Sequence, residues 1–215
     1  PVADMNGALF RFWVFAALYK DRNFASIAQL WQSLAESDTE AARRQAEELR
    51  PGAPPGTPTA GVERKPGAAD LSPYDNTWSS FLAVVCNDTN WSEDIQTYRR
   101  DVAADRKRYP LFGAAGANVS PCAYWHNDPV ESPVEITDEG PENVLVLQNL
   151  RDPATPHAGG KLLRDSFGKR ARLVSVDAGG HGVYVYDDNP CALNTTTSYL
   201  VDGKLPESDV FCKDS

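Results

Sequence analysis

The feature that most constrains this sequence is a pair of apolar runs set one helix apart. NVLVLQN (residues 143–149) and ARLVSVD (residues 171–177) are dense in valine and leucine. Strands apolar along their whole length suit a parallel sheet covered on both faces. The intervening PHAGGKLLRDSFG reads as a helix, and a closing helix is expected around CALNTTTSYLVDG. Strand, helix, strand, helix is the βαβ pattern, so the expected fold class is α/β.

Each apolar run ends in a polar turn with one residue suited to catalysis. Asp152 lies three residues past Asn149, and His181 lies four past Asp177. Open parallel sheets bind ligands at the carboxyl ends of their strands. If the strands are neighbours, the two side chains rise on one edge. A buried carboxylate there accepts the Nδ1–H of the imidazole, fixes its tautomer and stabilises the imidazolium formed when Nε2 takes a proton. Gly179, Gly180 and Gly182 permit a tight turn around His181, and Pro153 and Pro156 stiffen the turn carrying Asp152. Asp177 is a competing carboxylate, expected to brace the turn. His126 and His157 are expected to be surface or turn residues.

The first fifty residues read as three helices. NGALFRFWVFAALYK is rich enough in Phe, Trp and Leu to be mostly buried. NFASIAQLWQSLAES places Ile27, Leu30, Trp31 and Leu34 on one face, with Asn23 as a possible cap. DTEAARRQAEELR is opened by Asp38. Residues 51–75 are Pro- and Gly-rich and read as a linker or loop. NTWSSFLAVVCND has apolar character compatible with a helix passing into a strand. SEDIQTYRRDVAADRKRY is a charged helix, and SPCAYWHNDP is turn-rich.

A net charge of −9 argues against nucleic acid and anionic membranes, which need a basic face. The longest apolar run, Ala8 to Tyr19, is broken by Arg11 and is too short to cross a bilayer. The four cysteines form no CxxC or Cys/His cluster with zinc spacing, so neither metal nor cofactor is expected. They allow three pairings. Cys86–Cys122 and Cys191–Cys212 are favoured because each closes a local loop, and such bridges imply an oxidising compartment and a secreted protein. The opening PVADMNG lacks the pattern of a signal peptide, so a secreted form is expected to be already processed.

An Asp–His pair needs a nucleophile. In α/β-hydrolases the order is Ser, Asp, His, with the serine on a Gly-x-Ser-x-Gly elbow. No such elbow precedes Asp152, and GAAGANVS fails the spacing. VLVLQNLRDPATPHAGG, RLVSVDAGGHGVY and CALNTTTSYLVDGKLPESDVFC together resemble the C-terminal region of secreted bacterial tripeptidyl aminopeptidases, serine peptidases of the α/β-hydrolase fold related to prolyl iminopeptidases. The likeness runs from about Cys86 to Cys212, and IAQLWQSLAES is similar to cap helices of that family.

The resemblance implies the C-terminal portion of an α/β-hydrolase parallel sheet with a helical cap. Residues 1–75 would form a cap segment, and residues 76–215 the core with part of the cap. It implies Asp152 and His181 as triad members and the disulfides already favoured. With no elbow in this sequence, either the nucleophilic serine and its oxyanion hole lie on a second chain, the N-terminal half of the same enzyme, or this sequence is a fragment of that enzyme. Substrates would be peptides with free amino termini. Asp88 is the first candidate to anchor the ammonium, with Asn87 helping, and Trp125 and Tyr124 are candidates to line an apolar subsite. A secreted esterase or lipase, and a non-catalytic binding or assembly protein, are the competing expectations.

Overall fold

The computed structural model describes residues 6–49, 73–184 and 187–214, with the backbone alone at residues 73–75, 77 and 78. The Pro- and Gly-rich stretch lies outside the described residues up to residue 72. By proximity the chain divides into two compact units, residues 1–51 with 135–215 and residues 52–134. The helices of the first fifty residues thus group with the sheet.

In the first unit, β1 (Val144–Arg151), β2 (Ala171–Gly179) and β3 (Val210–Cys212) form a parallel sheet in the order β1-β2-β3. The βαβ unit predicted from the apolar runs is present, with α7 (His157–Phe167) between β1 and β2 and α8 (Pro190–Asp202) after the second turn. Leu147 pairs with Val174 and Asn149 with Val176 in register. One face of this sheet builds the core: Val174, Val176 and Ala178 pack with Ala192 of α8, Val183 and Cys212. Val174 and Val176 are fully buried, and burying each contributes about 1.5–3 kcal/mol. On the other face α7 crosses β1 and β2. There Gly160 leaves room for Gln148, whose Oε1 would lie 2.8 Å from a Cβ at that position.

Strand β3 is absent from the reading of the sequence, because three residues carry no period. It is held from outside its own sequence. Cys212 is bonded to Cys191 of α8, and the Asp209 carboxylate accepts from the Leu173 amide at 2.9 Å.

The same unit contains α1 (Gly7–Ala17), α2 (Phe24–Ala35) and α3 (Thr39–Leu49). Asn6 caps α1 by accepting from the Ala8 and Leu9 amides. Asp38 opens α3 by accepting from the Ala41 amide at 3.0 Å. Leu30, Ala42, Ala46 and Leu49 are buried where α2 and α3 pair. Two expectations fail here. Phe12 and Trp31 are 61% and 57% exposed, so the aromatic faces of α1 and α2 are only partly covered within this unit. Asn23 does not cap α2 with its side chain: its backbone is helical rather than extended, the wrong geometry for an N-cap acceptor. Its amide donates instead to Ala17 O at 3.0 Å and closes the end of α1.

The second unit holds α4 (Pro73–Asp88), α5 (Ile95–Arg108) and a short helix α6 (Gly113–Gly116). Helix α4 runs unbroken to Asp88, so no strand follows NTWSSF. The local apolar period does not separate the two states, and the helix continues until its last turn is pinned by the Cys86–Cys122 disulfide. Asp94 caps α5 by accepting from the Gln96 amide at 2.9 Å, and three basic residues close that helix, where they complement the exposed carbonyls.

Candidate active site

Strand β1 leads into the Asp152 turn. The Asp152 side chain is 3% exposed. Its Oδ1 accepts from the Ala154 and Thr155 amides, both at 2.8 Å, and its Oδ2 accepts from the Thr155 hydroxyl at 2.9 Å. Such a turn, in which an aspartate accepts from amides two and three residues on, forms from local sequence alone. Burial by itself would raise this carboxyl. The Thr155 and Ala154 amides, the Thr155 hydroxyl and the His181 ring outweigh it and hold the group below its ordinary value of 3.8. Asp152 is therefore an anion at neutral pH.

Strand β2 leads into the His181 turn. His181 Nδ1 lies 3.0 Å from Asp152 Oδ2 and 3.1 Å from Oδ1. The carboxylate can only accept, so Nδ1 carries the proton and Nε2 bears the basic lone pair. The His181 side chain is 40% exposed, against the buried carboxylate behind it. Gly180 and Gly182 have φ of +80° and +90°, a region costly for other residues. A Cβ on Gly179 would lie 2.6 Å from the Phe24 ring, and one on Gly180 would lie 3.0 Å from Tyr19 O. That carbonyl accepts from the His181 amide at 2.9 Å, and the Tyr19 ring stands edge-on to the imidazole at 5.1 Å between centroids.

The ring borders a cavity of about 440 Å³ lined by residues 19–22, Gly179 to Gly182 and Asp187. Its wall is mixed in charge, with Lys20 and Arg22 beside Asp21 and Asp187. Burial raises the Asp187 carboxyl, and Asp21 and Asp188 add to this against amide hydrogen bonds from Asp188 and Asn189. Among the described residues no group of His, Cys, Asp and Glu is arranged to hold a metal ion, and no helix is long and apolar enough to cross a membrane.

Asp177 does not brace the His181 turn as expected. Its carboxylate accepts from Arg151 Nη1 at 2.6 Å across the two strands, because it projects from β2 on the face away from the core. His157 does more than occupy a turn: it opens α7, and its Nε2 lies 2.9 Å from Ser175 Oγ on β2. His126 is exposed, 3.8 Å from Glu93.

The candidate substrate residues lie in the second unit. Asn87 and Asp88 end α4. Asn87 donates to Ala83 O at 2.6 Å and accepts from Trp125 Nε1 at 3.0 Å. Asp88 is exposed, and Tyr124 is 62% exposed.

Sequence reasoning missed Thr155, Tyr19, Gln148 and Asn149. Gln148 donates to Thr155 O at 2.6 Å and supports the Asp152 turn. The signal available for Gln148 and Asn149 was polarity, two amides closing an otherwise apolar strand. Tyr19 left no signal, because it arrives from the corner between α1 and α2, more than a hundred residues away.

A family described as TAP-like protein matches residues 109–212, the stretch holding both turns and all three strands described. That stretch is a TAP-like α/β-hydrolase domain. The TAP-like resemblance also extends beyond that stretch. Over 201 residues the chain is 30% identical to a tripeptidyl aminopeptidase of Streptomyces lividans, covering 92% of this chain and 34% of that one. It is 30% identical over 148 residues to carboxylesterase B of Mycobacterium tuberculosis, covering 65% and 27%. It is 28% identical over 145 residues to serine protease Hip1 of the same organism, again covering 65% and 27%. The chain thus spans about a third of the length of the first two curated relatives it matches.

Proposed function

We propose that this segment supplies the orienting carboxylate and the general base of a serine hydrolase triad, and that the enzyme is a secreted aminopeptidase releasing short peptides, tripeptides among them, from free amino termini. The observation that carries the reading is the contact of buried Asp152 with His181 Nδ1 at the carboxyl ends of two adjacent parallel strands. In this reading His181 Nε2 takes the proton of a serine hydroxyl as that oxygen attacks the scissile carbonyl. It then returns the proton to the leaving amine. Asp152 holds the tautomer and stabilises the imidazolium without accepting the proton itself.

The serine and the oxyanion hole come from outside this chain, from the N-terminal half of the same enzyme as a second polypeptide. The three-stranded sheet supports this, since sheets usually have about four to six strands. Residues 1–75 act as a cap segment and residues 76–215 as core with part of the cap. Asp88, assisted by Asn87, anchors the substrate ammonium, and Tyr124 and Trp125 line a subsite. The two disulfides and the name of the Streptomyces relative support secretion and peptide substrates. A second reading, an ester hydrolase of the same fold, is supported by the carboxylesterase relative.

The test uses the enzyme assembled with its nucleophile-bearing half. A fluorophosphonate probe should label the serine, and His181→Ala should abolish labelling. A free-amino tripeptidyl p-nitroanilide should be cleaved in preference to its N-acetylated form. Hydrolysis of p-nitrophenyl esters without cleavage of the anilide would replace the peptidase by the esterase. Absence of labelling would leave a binding protein.

A further inference from the structure

We infer that Asn149 is a positioning residue that sets the His181 turn against Asp152. The inference rests on the reading of Asp152 and His181 as orienting carboxylate and general base. Asn149 is fully buried near the end of β1. Its Nδ2 lies 3.1 Å from Gly179 O, 3.3 Å from Gly180 O and 3.2 Å from Gly182 O. The carbonyls thus come from both sides of His181, and the turn wraps around a single amide. Two N–H groups serve three acceptors, so at least one hydrogen is shared. Gly180 and Gly182, with their positive φ, are the residues that let this backbone curl inward.

Simple burial of a polar residue does not account for the arrangement. Asn149 Oδ1 is buried and without a hydrogen-bond partner, an uncompensated loss for an amide in an apolar core. A leucine at this place in β1 would continue the run of Val144 to Leu147 and avoid that loss. The polar work Asn149 performs is directed wholly at the turn.

Its place in the chain gives that work a consequence. Asp152 leaves the same strand three residues later, and the pairing of β1 with β2 is irregular between Asn149 and Arg151: Asn149 pairs with Val176, Arg151 with Gly179. The ladder thus bulges just before the His181 turn and resumes only at the Arg151–Gly179 pair. Across that bulge Asn149 adds a second, side-chain link from β1 to the turn. The separation of His181 Nδ1 from the Asp152 carboxylate depends on it, and with it the aim of Nε2.

The assembled enzyme is tested with Asn149→Asp, which keeps the shape and removes the amino donor, and with Asn149→Ser, which retains one donor. The readouts are kcat and KM on a free-amino tripeptidyl p-nitroanilide, the low-field proton resonance of His181 Nδ1–H, and the folded fraction by near-ultraviolet circular dichroism. Expected per folded molecule is a fall in kcat of roughly 10- to 100-fold with KM within about twofold, and a shifted or lost resonance. Asn149→Ser should fall less than Asn149→Asp. Wild-type kcat and resonance in either folded variant would overturn the inference. Activity lost only in step with the folded fraction, in both variants, would overturn it equally. Activity surviving His181→Ala would overturn the underlying reading and this inference with it, whereas an inactive His181→Ala beside Asn149 variants of wild-type kcat removes this inference alone.

Discussion

The Asp152 turn and the His181 turn meet at one point and are built in opposite ways. The Asp152 turn is local. Its carboxylate draws on amides and a hydroxyl two and three residues ahead, between two prolines that restrict the backbone. The His181 turn has glycines and little structure of its own. It is held by Tyr19 O from the α1–α2 corner, by Asn149 from β1 and by the carboxylate it faces. One turn is rigid by its own sequence and the other by its neighbours. The anion is therefore the fixed reference, and the base is positioned against it.

The largest effect should come from the contact that joins the two turns. Asp152→Asn keeps the shape but offers the imidazole an amide that can donate as well as accept, so the ring loses the preference that places its proton on Nδ1. In the assembled enzyme kcat should fall by roughly 10⁴-fold, with KM far less affected. Steady-state kinetics on a free-amino tripeptidyl p-nitroanilide checks this, and a fall below tenfold would mean that the carboxylate is not the orienting group.

The next effect tests whether the His181 turn depends on its neighbours. Gly180→Ala forces a side chain into φ +80° and places its Cβ 3.0 Å from Tyr19 O. The backbone cost is about 1–2 kcal/mol, and displacement of Tyr19 adds to it. Thermal unfolding should show a lower Tm, with kcat falling further than the folded fraction accounts for. Ala154→Gly, a substitution of similar size in the other turn, should cost less, because that turn is held by its aspartate bonds rather than by an outside clamp.

Removing one bond inside the Asp152 turn should do less. Thr155→Val deletes the hydroxyl donor to Oδ2 and leaves both amides, at a cost of about 1 kcal/mol. The pH dependence carries the signature. The Asp152 carboxyl lies below 3.8 in the folded protein, so its contribution to stability is present above that unfolded-state value and is lost as pH falls through the lowered folded value. Losing a donor moves the folded value upward and narrows that window. The stability difference between wild type and Thr155→Val should thus be largest near pH 6 and shrink toward pH 2, as urea unfolding at several pH values would reveal. A difference independent of pH would place the cost in packing.

The same contrast explains what could be read from sequence. Asp152 and its turn were legible because RDPATP contains the acid and the groups that bind it. The glycines marked the place of His181 but not what holds it, since Tyr19 and Asn149 arrive from distant elements. Asn149 looked like the end of a strand, and Asn23 like a helix cap, because a sequence shows which bonds a side chain can make and not which acceptor folding brings to it. Strand β3 was missed for the same reason: three residues become a strand only when Asp209 and the Cys191–Cys212 bridge fix them beside β2. The helix–strand ambiguity of NTWSSFLAVVCND has a different origin, a run apolar at too many positions to show one period.

The smallest effect separates the two carboxylates near the site. Asp177 lies on the strand that leads to His181 and closer to it in sequence than Asp152 does, yet it is bonded to Arg151. Both partners of that pair are more than a third exposed, and an ion pair screened by solvent contributes about 0–1 kcal/mol. Asp177→Asn should leave kcat within about twofold and shift stability by no more than that range, less at high salt. A loss of kcat approaching that of Asp152→Asn would mean that the His181 turn responds to any carboxylate on its strand, and the division between a self-built turn and a clamped one would fail. A near-silent Asp177→Asn beside a crippled Asp152→Asn shows that the imidazole is governed by the carboxylate across the sheet rather than by the one beside it in the chain.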